Sequence, residues 1–239
     1  MSHAQSTAAP RNEDLPSVLR DAETRYIKAN PRSMALSASA QAHLPGGNTR
    51  TTLHFSPFPF YAAKGQGSRL VDVDGHSYVD FVNEYTAGVF GHSNKLIADT
   101  ISRTIAEGLN FGAPTEHEIK LSAEVRSRFP AMELLRFCNS GTEANLLAMA
   151  TARAFTGREA IMVFSGAYHG SIFYFGHGPS PLNMPFPVIM STFNDAEQAR
   201  TAIATHAARL AAVIVEPMQG GAGALPASKE FMMALREAT

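Results

Sequence analysis

The apolar positions of the chain fall into two patterns, short continuous runs and longer stretches with a spacing of three or four residues. Continuous runs at 160–164, 188–190 and 211–215 predict buried strands. Helical spacing predicts helices at 94–107, 116–128, 142–155 and 195–208, and one that starts near Ser228. Strands that alternate with helices of about 10–15 residues are typical of an α/β fold, in which helices cover a mainly parallel sheet.

Two of the predicted helices carry a marked apolar stripe that we expect to be buried. The stripe comprises Leu96, Ile97, Ile101 and Ile105 in the helix at 94–107, and Ile119, Leu121 and Val125 in the helix at 116–128. A helix of a globular protein turns such a stripe toward the core. Both helices should therefore pack against the sheet.

The N-terminal part begins with a polar stretch, 1–14, which we expect to be a loose tail. Helical spacing predicts a helix over 15–29 and a second helix that is capped by Ser33 and runs toward His43. Arg50 follows in a loop between glycines and a Phe/Pro run. By its sequence context alone, Arg50 is a solvated loop residue.

A small hairpin is predicted next. Short strands at 69–73 and 77–81 flank Asp74-Gly75, which is a strong turn signal. A loop rich in glycine, small and aromatic residues then separates the hairpin from the α/β pattern. We therefore divide the chain into 1–93 and 94–239.

The stretch 137–145 has the pattern of a strand end, a polar turn and a helix start. Residues 134–138 predict a short strand, Ser140 suits a helix cap, and Gly141 allows close approach of another group. A helix start has unpaired N–H groups and a partial positive charge, which suit a phosphate. An ordinary capped helix without a ligand explains the same residues, and both interpretations stay open at this point.

Polar, glycine-containing turns follow three predicted strands, after Cys138, Phe164 and Val215. Ligands of parallel sheets bind beyond the carboxyl ends of the strands, so these turns are candidates for one site. The second turn contains Tyr168-His169 and the third begins with Glu216. Taken singly, each residue also has an ordinary structural explanation. Tyr168 could line a wall of the fold, His169 could be a loop histidine whose hydrogen bonds are all made, and Glu216 could cap a local turn.

Composition and charge narrow the range of partners. The 239 residues include 20 basic and 21 acidic ones, so nothing indicates binding to nucleic acid or an anionic membrane. The single cysteine, Cys138, excludes an internal disulfide framework and fits a reducing compartment. No apolar run approaches the roughly 20 residues needed to span a bilayer. We expect a soluble, cytoplasmic protein without a metal site.

Three motifs, N-S-G-T-E-A at 139–144, Y-H-G at 168–170 and V-E-P-M-Q-G at 215–220, occur in this order and spacing. Together they resemble the class III aminotransferases, pyridoxal-phosphate enzymes of fold type I that include glutamate-1-semialdehyde aminomutase. The stretch 44–50 with the Phe/Pro run at 55–59 is most similar to the β-amino acid (β-phenylalanine type) aminotransferases of this family. The resemblance implies an incomplete fold type I structure, with 1–93 in the small domain and active-site loop and 94–239 in the large cofactor-binding domain.

The resemblance also implies pyridoxal 5'-phosphate as the cofactor and assigns a set of residues to it: Ser140, Gly141, Thr142, Tyr168, His169 and Glu216. The first three would hold the phosphate. The ring of Tyr168 would lie against the pyridine ring with His169 near by, and Glu216 would orient cofactor or substrate groups. Arg50 would bind the substrate carboxylate, because a planar guanidinium matches its two oxygens.

Catalysis in this family also requires a lysine that forms a Schiff base with the cofactor and an aspartate at the pyridine nitrogen. Both follow the Glu-Pro motif in the family. None of the five lysines matches the family's position: Lys28, Lys64, Lys95, Lys120 and Lys229. We therefore expect the chain to be part of a longer enzyme and to be inactive alone. The complete enzyme would be a homodimer that moves an amino group from an aromatic or apolar β-amino acid to a keto acid.

Two other functions remain open. An aminomutase, which moves an amino group within one substrate, would share all three motifs. A non-catalytic remnant would keep the phosphate-binding turn without the lysine. A nucleotide-binding domain is disfavoured, because the chain lacks the Gly-x-Gly-x-x-Gly turn and the P-loop lysine of those folds.

Overall fold

The computed structural model describes residues 14–176 and 178–239, which form two compact units divided after Pro114. The predicted tail lies almost wholly outside the described residues. The predicted division at 93/94 into parts of two domains stays a prediction.

The described residues of the first unit, 14–114, form three α-helices and a small antiparallel sheet of order β1-β2-β3. Its elements are α1 (Leu15–Ala29), α2 (Pro31–Gln41), β1 (Ala62–Gln66), β2 (Arg69–Asp72), β3 (Ser77–Val79) and α3 (Lys95–Glu107). The hairpin of β2 and β3 is confirmed. Strand β1 was not predicted, because its residues Ala-Ala-Lys-Gly-Gln show no apolar alternation.

The start of α2 differs from the prediction, because Ser33 is not its cap. The helix begins at Pro31, which is well suited to a first helical position. Asp74, in the hairpin turn, accepts hydrogen bonds from the N–H groups of Arg32 (2.8 Å) and Ser33 (3.0 Å) and from the Ser33 hydroxyl (2.7 Å). Asp74, about forty positions away in the sequence, thus caps the start of α2 in place of a neighbouring residue.

The hairpin also contains a buried carboxylate, Asp72. It accepts hydrogen bonds from the His76 N–H (2.8 Å) and the Tyr78 hydroxyl (2.8 Å), and His76 Nδ1 lies 2.9 Å from its second oxygen. Burial raises the pKa of Asp72, but the hydrogen bonds of His76 and Tyr78 outweigh burial, so the pKa lies below its usual value. Burial and the same carboxylate raise the pKa of Tyr78 to about 12, which keeps its hydroxyl a donor.

This arrangement predicts an acid-sensitive fold. Because the pKa of Asp72 is lower in the folded than in the unfolded chain, its ionised form adds stability above about pH 4. That contribution is lost as the pH falls from there through the folded-state pKa. We expect Asp72→Asn to flatten the dependence of the free energy of unfolding on pH between about pH 5 and pH 3, measured by urea titration. Asp99→Asn, at an exposed pair with Lys95, is the control and should leave the slope unchanged; equal slopes for wild type and Asp72→Asn would contradict the prediction.

The second unit is built on a parallel sheet of order β5-β4-β6, as an α/β fold requires. Its elements are α4 (Glu116–Arg128), α5 (Gly141–Thr156), β4 (Ala160–Phe164), β5 (Val188–Ser191), α6 (Ala196–His206), β6 (Leu210–Val213), β7 (Met218–Gln219), β8 (Leu225–Pro226) and α7 (Lys229–Ala238). The predicted helices and the three parallel strands are confirmed. The two-residue strands β7 and β8, which pair antiparallel, were not predicted.

The central strand β4 is buried on both faces, which explains its continuous apolar sequence. On one face Met162 and Phe164 pack with Phe193 and with Phe231 of α7. On the other face Ile161 and Val163 pack with residues of α5 and of the loop after β4, namely Met149, Phe173 and Phe175. The carboxyl end of β4 is therefore held between two apolar layers.

Two predictions about apolar residues are wrong. No strand forms at 134–138, Leu134 is 94% exposed, and no main-chain hydrogen bond of these residues is found within the described chain. The expected buried stripe of α3 (Leu96, Ile97, Ile101, Ile105) is also exposed, as are Ile119 and Leu121 of α4. Apolar spacing shows which side of an element is apolar, but it does not supply the neighbouring surface that buries it. No helix among the described residues combines the length and apolar character needed to cross a bilayer.

Candidate active site

Two side chains at the start of α5 accept hydrogen bonds from main-chain N–H groups. The Ser140 hydroxyl oxygen accepts a hydrogen bond from the Glu143 N–H (3.1 Å), and the Glu143 carboxylate accepts one from the Asn139 N–H (2.8 Å). Within the described residues, the N–H groups of Gly141 and Thr142 have no acceptor. At the start of a 16-residue helix these groups carry about half a positive charge, so they suit an anion.

The turn after β4 packs directly against this helix start. Asn145 Nδ2 donates to the carbonyl oxygen of His169 (2.8 Å), and the Ser171 N–H donates to Thr142 Oγ1 (3.2 Å). Between these bonds lies Gly170, where a Cβ atom would come within 2.3 Å of Thr142 Oγ1. Only a glycine allows the turn and the helix to approach so closely.

The loop after β6 closes on the same turn through Glu216. One carboxylate oxygen accepts the Tyr168 N–H (2.9 Å) and the other accepts the Gly220 N–H (3.3 Å). Gln219, which is buried, donates to the carbonyl oxygen of Ser165 (3.0 Å). The three segments at the helix start, after β4 and after β6 thus form one connected surface.

The side chains of Tyr168 and His169 have opposite environments. Tyr168 is half exposed, and its ring makes an edge contact with Tyr174 at 5.9 Å between centroids. His169 is buried, and among the described residues its Nε2 has no hydrogen-bond partner. Burial lowers the pKa of His169, and the Glu216 carboxylate opposes this shift only in part. The imidazole is therefore a neutral group near pH 7.

The structure brings most of the predicted site residues together in the second unit: Ser140, Gly141, Thr142, Tyr168, His169 and Glu216. Arg50 belongs to the first unit, where it is exposed and its carbonyl oxygen accepts the Leu53 N–H (2.9 Å) in a short turn. Its role at the site remains a prediction. No group of three or more metal-ligating side chains occurs in the described part of the chain.

Two further residues of the site, Asn145 and Gln219, were not predicted from the sequence. Asn145 could have been found, because it is a polar residue with poor helix propensity that lies three positions after Thr142 and so shares its helix face. Gln219 carried no such signal, since nothing in a loop sequence indicates that an amide will be buried.

Comparison with solved structures defines the class of protein. The chain matches the crystal structure of a β-phenylalanine aminotransferase from Variovorax paradoxus with a TM-score of 0.91 and 44% identity, over 94% of this chain and 52% of that one. A transaminase solved with PLP bound matches at a TM-score of 0.81 and 35% identity, over 87% and 52% of the two chains. The chain therefore has the fold of the PLP-dependent transaminases.

The family is equally clear. The model of the class-III aminotransferases matches residues 53–175, and the chain belongs to this family. It is 46% identical to the β-phenylalanine transaminase of Variovorax paradoxus over 219 residues, 92% of this chain and 50% of that protein. It is 37% identical to a glutamate-1-semialdehyde 2,1-aminomutase of Chloroherpeton thalassium over 223 residues, 86% and 52% of the two chains. The chain spans about half the length of these curated relatives.

Proposed function

We propose that the whole protein is a PLP-dependent aminotransferase that moves an amino group from an aromatic or apolar β-amino acid to a keto acid. One observation carries the proposal: the capped start of α5, where two N–H groups have no acceptor within the described residues, is hydrogen-bonded to the turn that contains Tyr168. The similarity to a β-phenylalanine transaminase supports the substrate class.

The helix start has the donors that a phosphate monoester requires. Gly141 and Thr142 offer two main-chain N–H groups. The oxygens of Ser140 and Thr142 already accept hydrogen bonds from Glu143 and Ser171, so their hydroxyl protons remain available to an anion. No described residue comes within 4 Å of a Cβ added at Gly141, so packing among these residues does not explain the glycine. These residues fit the phosphate of pyridoxal 5'-phosphate.

The turn after β4 would hold the ring of the cofactor. The half-exposed face of Tyr168 is free to lie against a pyridine ring, and an aromatic contact does not require a fixed proton. Pyridoxal phosphate, when bound, supplies an electron sink for the carbon next to the amino group. Glu216 supports Tyr168 by accepting its main-chain N–H, and Nε2 of His169 is a further buried polar atom of this turn, with no partner among residues 14–176 and 178–239.

The remaining parts of the proposal come from the family. Arg50 would bind the substrate carboxylate with two parallel hydrogen bonds. The lysine that forms the Schiff base would be none of the five lysines of this chain, so residues 1–239 alone should show no transaminase activity. The protein would act as a cytoplasmic homodimer.

An aminomutase is the second candidate, because all three motifs occur in that branch and an aminomutase of Chloroherpeton thalassium is 37% identical. The identity to the β-phenylalanine transaminase is higher, 46% over a similar length. We therefore place the transaminase first.

The test is an amino-transfer assay with the full-length protein and added PLP. With β-phenylalanine and 2-oxoglutarate as substrates, we expect glutamate to form as β-phenylalanine disappears. Chromatography measures the amounts of both amino acids over time. Replacing Arg50 by lysine should lower kcat/KM for β-phenylalanine by about 10-fold, because a two-pronged charged contact is lost.

Arg103→Lys, at an exposed arginine of α3, is the matched control and should leave kcat/KM unchanged. Conversion of glutamate-1-semialdehyde supplied alone, without transfer from β-phenylalanine, would identify an aminomutase instead. Absence of both reactions in a PLP-loaded protein would refute the proposal.

A further inference from the structure

The Tyr168-His169 dipeptide is fixed at two main-chain groups by side chains from other elements. Glu216, beyond the end of β6, accepts the N–H of Tyr168 at 2.9 Å. Asn145, in the second turn of α5, donates to the carbonyl oxygen of His169 at 2.8 Å. Glu216 lies 48 residues after Tyr168 in the sequence, and Asn145 lies 24 residues before His169.

Several other main-chain groups of this turn are bonded locally. The N–H of Gly166 donates to the carbonyl of Phe175, and the N–H of His169 donates to the carbonyl of Phe173. The N–H of Phe175 returns a bond to Ala167. These bonds join the turn to residues 173–175 of the same loop, but they do not join it to α5. The link to the helix depends on Asn145 and on the contacts of Thr142.

We propose that Asn145 is a positioning residue that sets the distance between the ring-binding Tyr168 and the phosphate-binding N–H groups of Gly141 and Thr142; this inference rests on the proposed function. Asn145 lies three residues after Thr142 on the same rigid helix. Its bond to the His169 carbonyl therefore transmits the position of the helix start to the turn. The Ser171 bond to Thr142 and the close approach of Gly170 hold the following residues of the turn against the helix start.

A ligand that binds through two groups at a fixed separation gains affinity when the protein holds both binding parts in place. Without the Asn145 bond, the phosphate site and the ring site can each form, but their separation is no longer fixed. The expected effect is a loss of cofactor affinity that exceeds any general loss of stability. Half-buried Asn145 makes no other side-chain hydrogen bond within the described residues.

The test uses the full-length protein and pyridoxamine 5'-phosphate, which binds without a covalent bond to lysine. We expect Asn145→Ala and Asn145→Leu to raise its Kd about tenfold, measured by calorimetry. Asn145→Ala leaves the site underfilled and the larger Asn145→Leu leaves no cavity, so an effect shared by both variants reflects the lost amide hydrogen bond and not packing. Amide hydrogen exchange at 168–171, measured without cofactor, should become faster in both variants.

Thr156→Ala is the matched control, because it removes two hydrogen bonds at the other end of α5. The Thr156 hydroxyl donates to the carbonyl oxygen of Ala152 and accepts the N–H of Arg158. It should change neither the Kd nor the exchange at 168–171. Wild-type Kd and wild-type exchange in both Asn145 variants would overturn the inference. A wild-type protein that binds no pyridoxamine 5'-phosphate would refute the proposed function, and the exchange rates would still decide whether Asn145 fixes the turn.

Discussion

Replacing Gly170 by alanine is expected to weaken cofactor binding by at least about 100-fold. Gly170 has a φ of +121°, a conformation that side chains rarely adopt, and an added Cβ would lie 2.3 Å from Thr142 Oγ1 and 2.7 Å from Thr142 Cα. The second contact is with main chain, so rotation of a side chain cannot relieve it. The turn must move away from the helix start, which separates Tyr168 from the N–H groups that we propose to bind the phosphate.

Calorimetry with pyridoxamine 5'-phosphate on the full-length protein measures this effect. Gly157→Ala is the matched control, because Gly157 ends the same helix at φ +68° and no atom of the described chain lies within 4 Å of an added Cβ. It carries the backbone penalty without the steric clash and should bind the cofactor normally. Equal affinity of Gly170→Ala and wild type would show that the close approach to Thr142 does not matter for the site.

Replacing Phe231 by alanine is expected to lower the free energy of unfolding by about 3–5 kcal/mol. Phe231 is fully buried, and its ring makes edge contacts with Phe164 of β4 at 5.0 Å and with Phe193 at 5.3 Å. The loss combines the transfer free energy of the ring with the cavity left between α7 and the sheet. The carboxyl end of β4, which leads into the Tyr168 turn, would lose support on one face.

Urea titration provides the measurement, with Phe155→Ala as the control. Phe155 is 91% exposed on α5, so its loss should change the free energy of unfolding by less than about 0.5 kcal/mol. Similar values for the two variants would mean that the cluster around Phe164 does not determine stability. Phe231→Leu should lie between wild type and Phe231→Ala, since part of the cavity stays filled.

Features governed by neighbours in sequence could be predicted. Asn94, Asp195 and Ser228 begin their helices as expected, and each side chain accepts an N–H three residues ahead. The Ser140 cap and the buried strand β4 follow from equally local signals. Each depends only on residues within one turn or one strand, so composition and spacing suffice.

Features that depend on distant partners could not be predicted. The Asp74 cap of α2 joins residues about forty positions apart, and the contacts of Glu216 and Asn145 with the Tyr168 turn join three elements. The apolar stripe of α3 shows the same limit. Its helical spacing was predicted correctly, but its residues are exposed and not buried as expected. For the site, the residue types were recognisable from the family motifs, whereas the bonds that hold them in place required the fold.

The two bonds of Glu216 affect how variants at this position must be interpreted. Each carboxylate oxygen faces a main-chain N–H, of Tyr168 and of Gly220. Glutamine is nearly the same size, but it offers one accepting oxygen and an NH₂ group, so one of the two N–H groups would meet another donor. An inactive Glu216→Gln enzyme would therefore be ambiguous evidence for acid–base chemistry, since mismatched donors alone would displace the tyrosine.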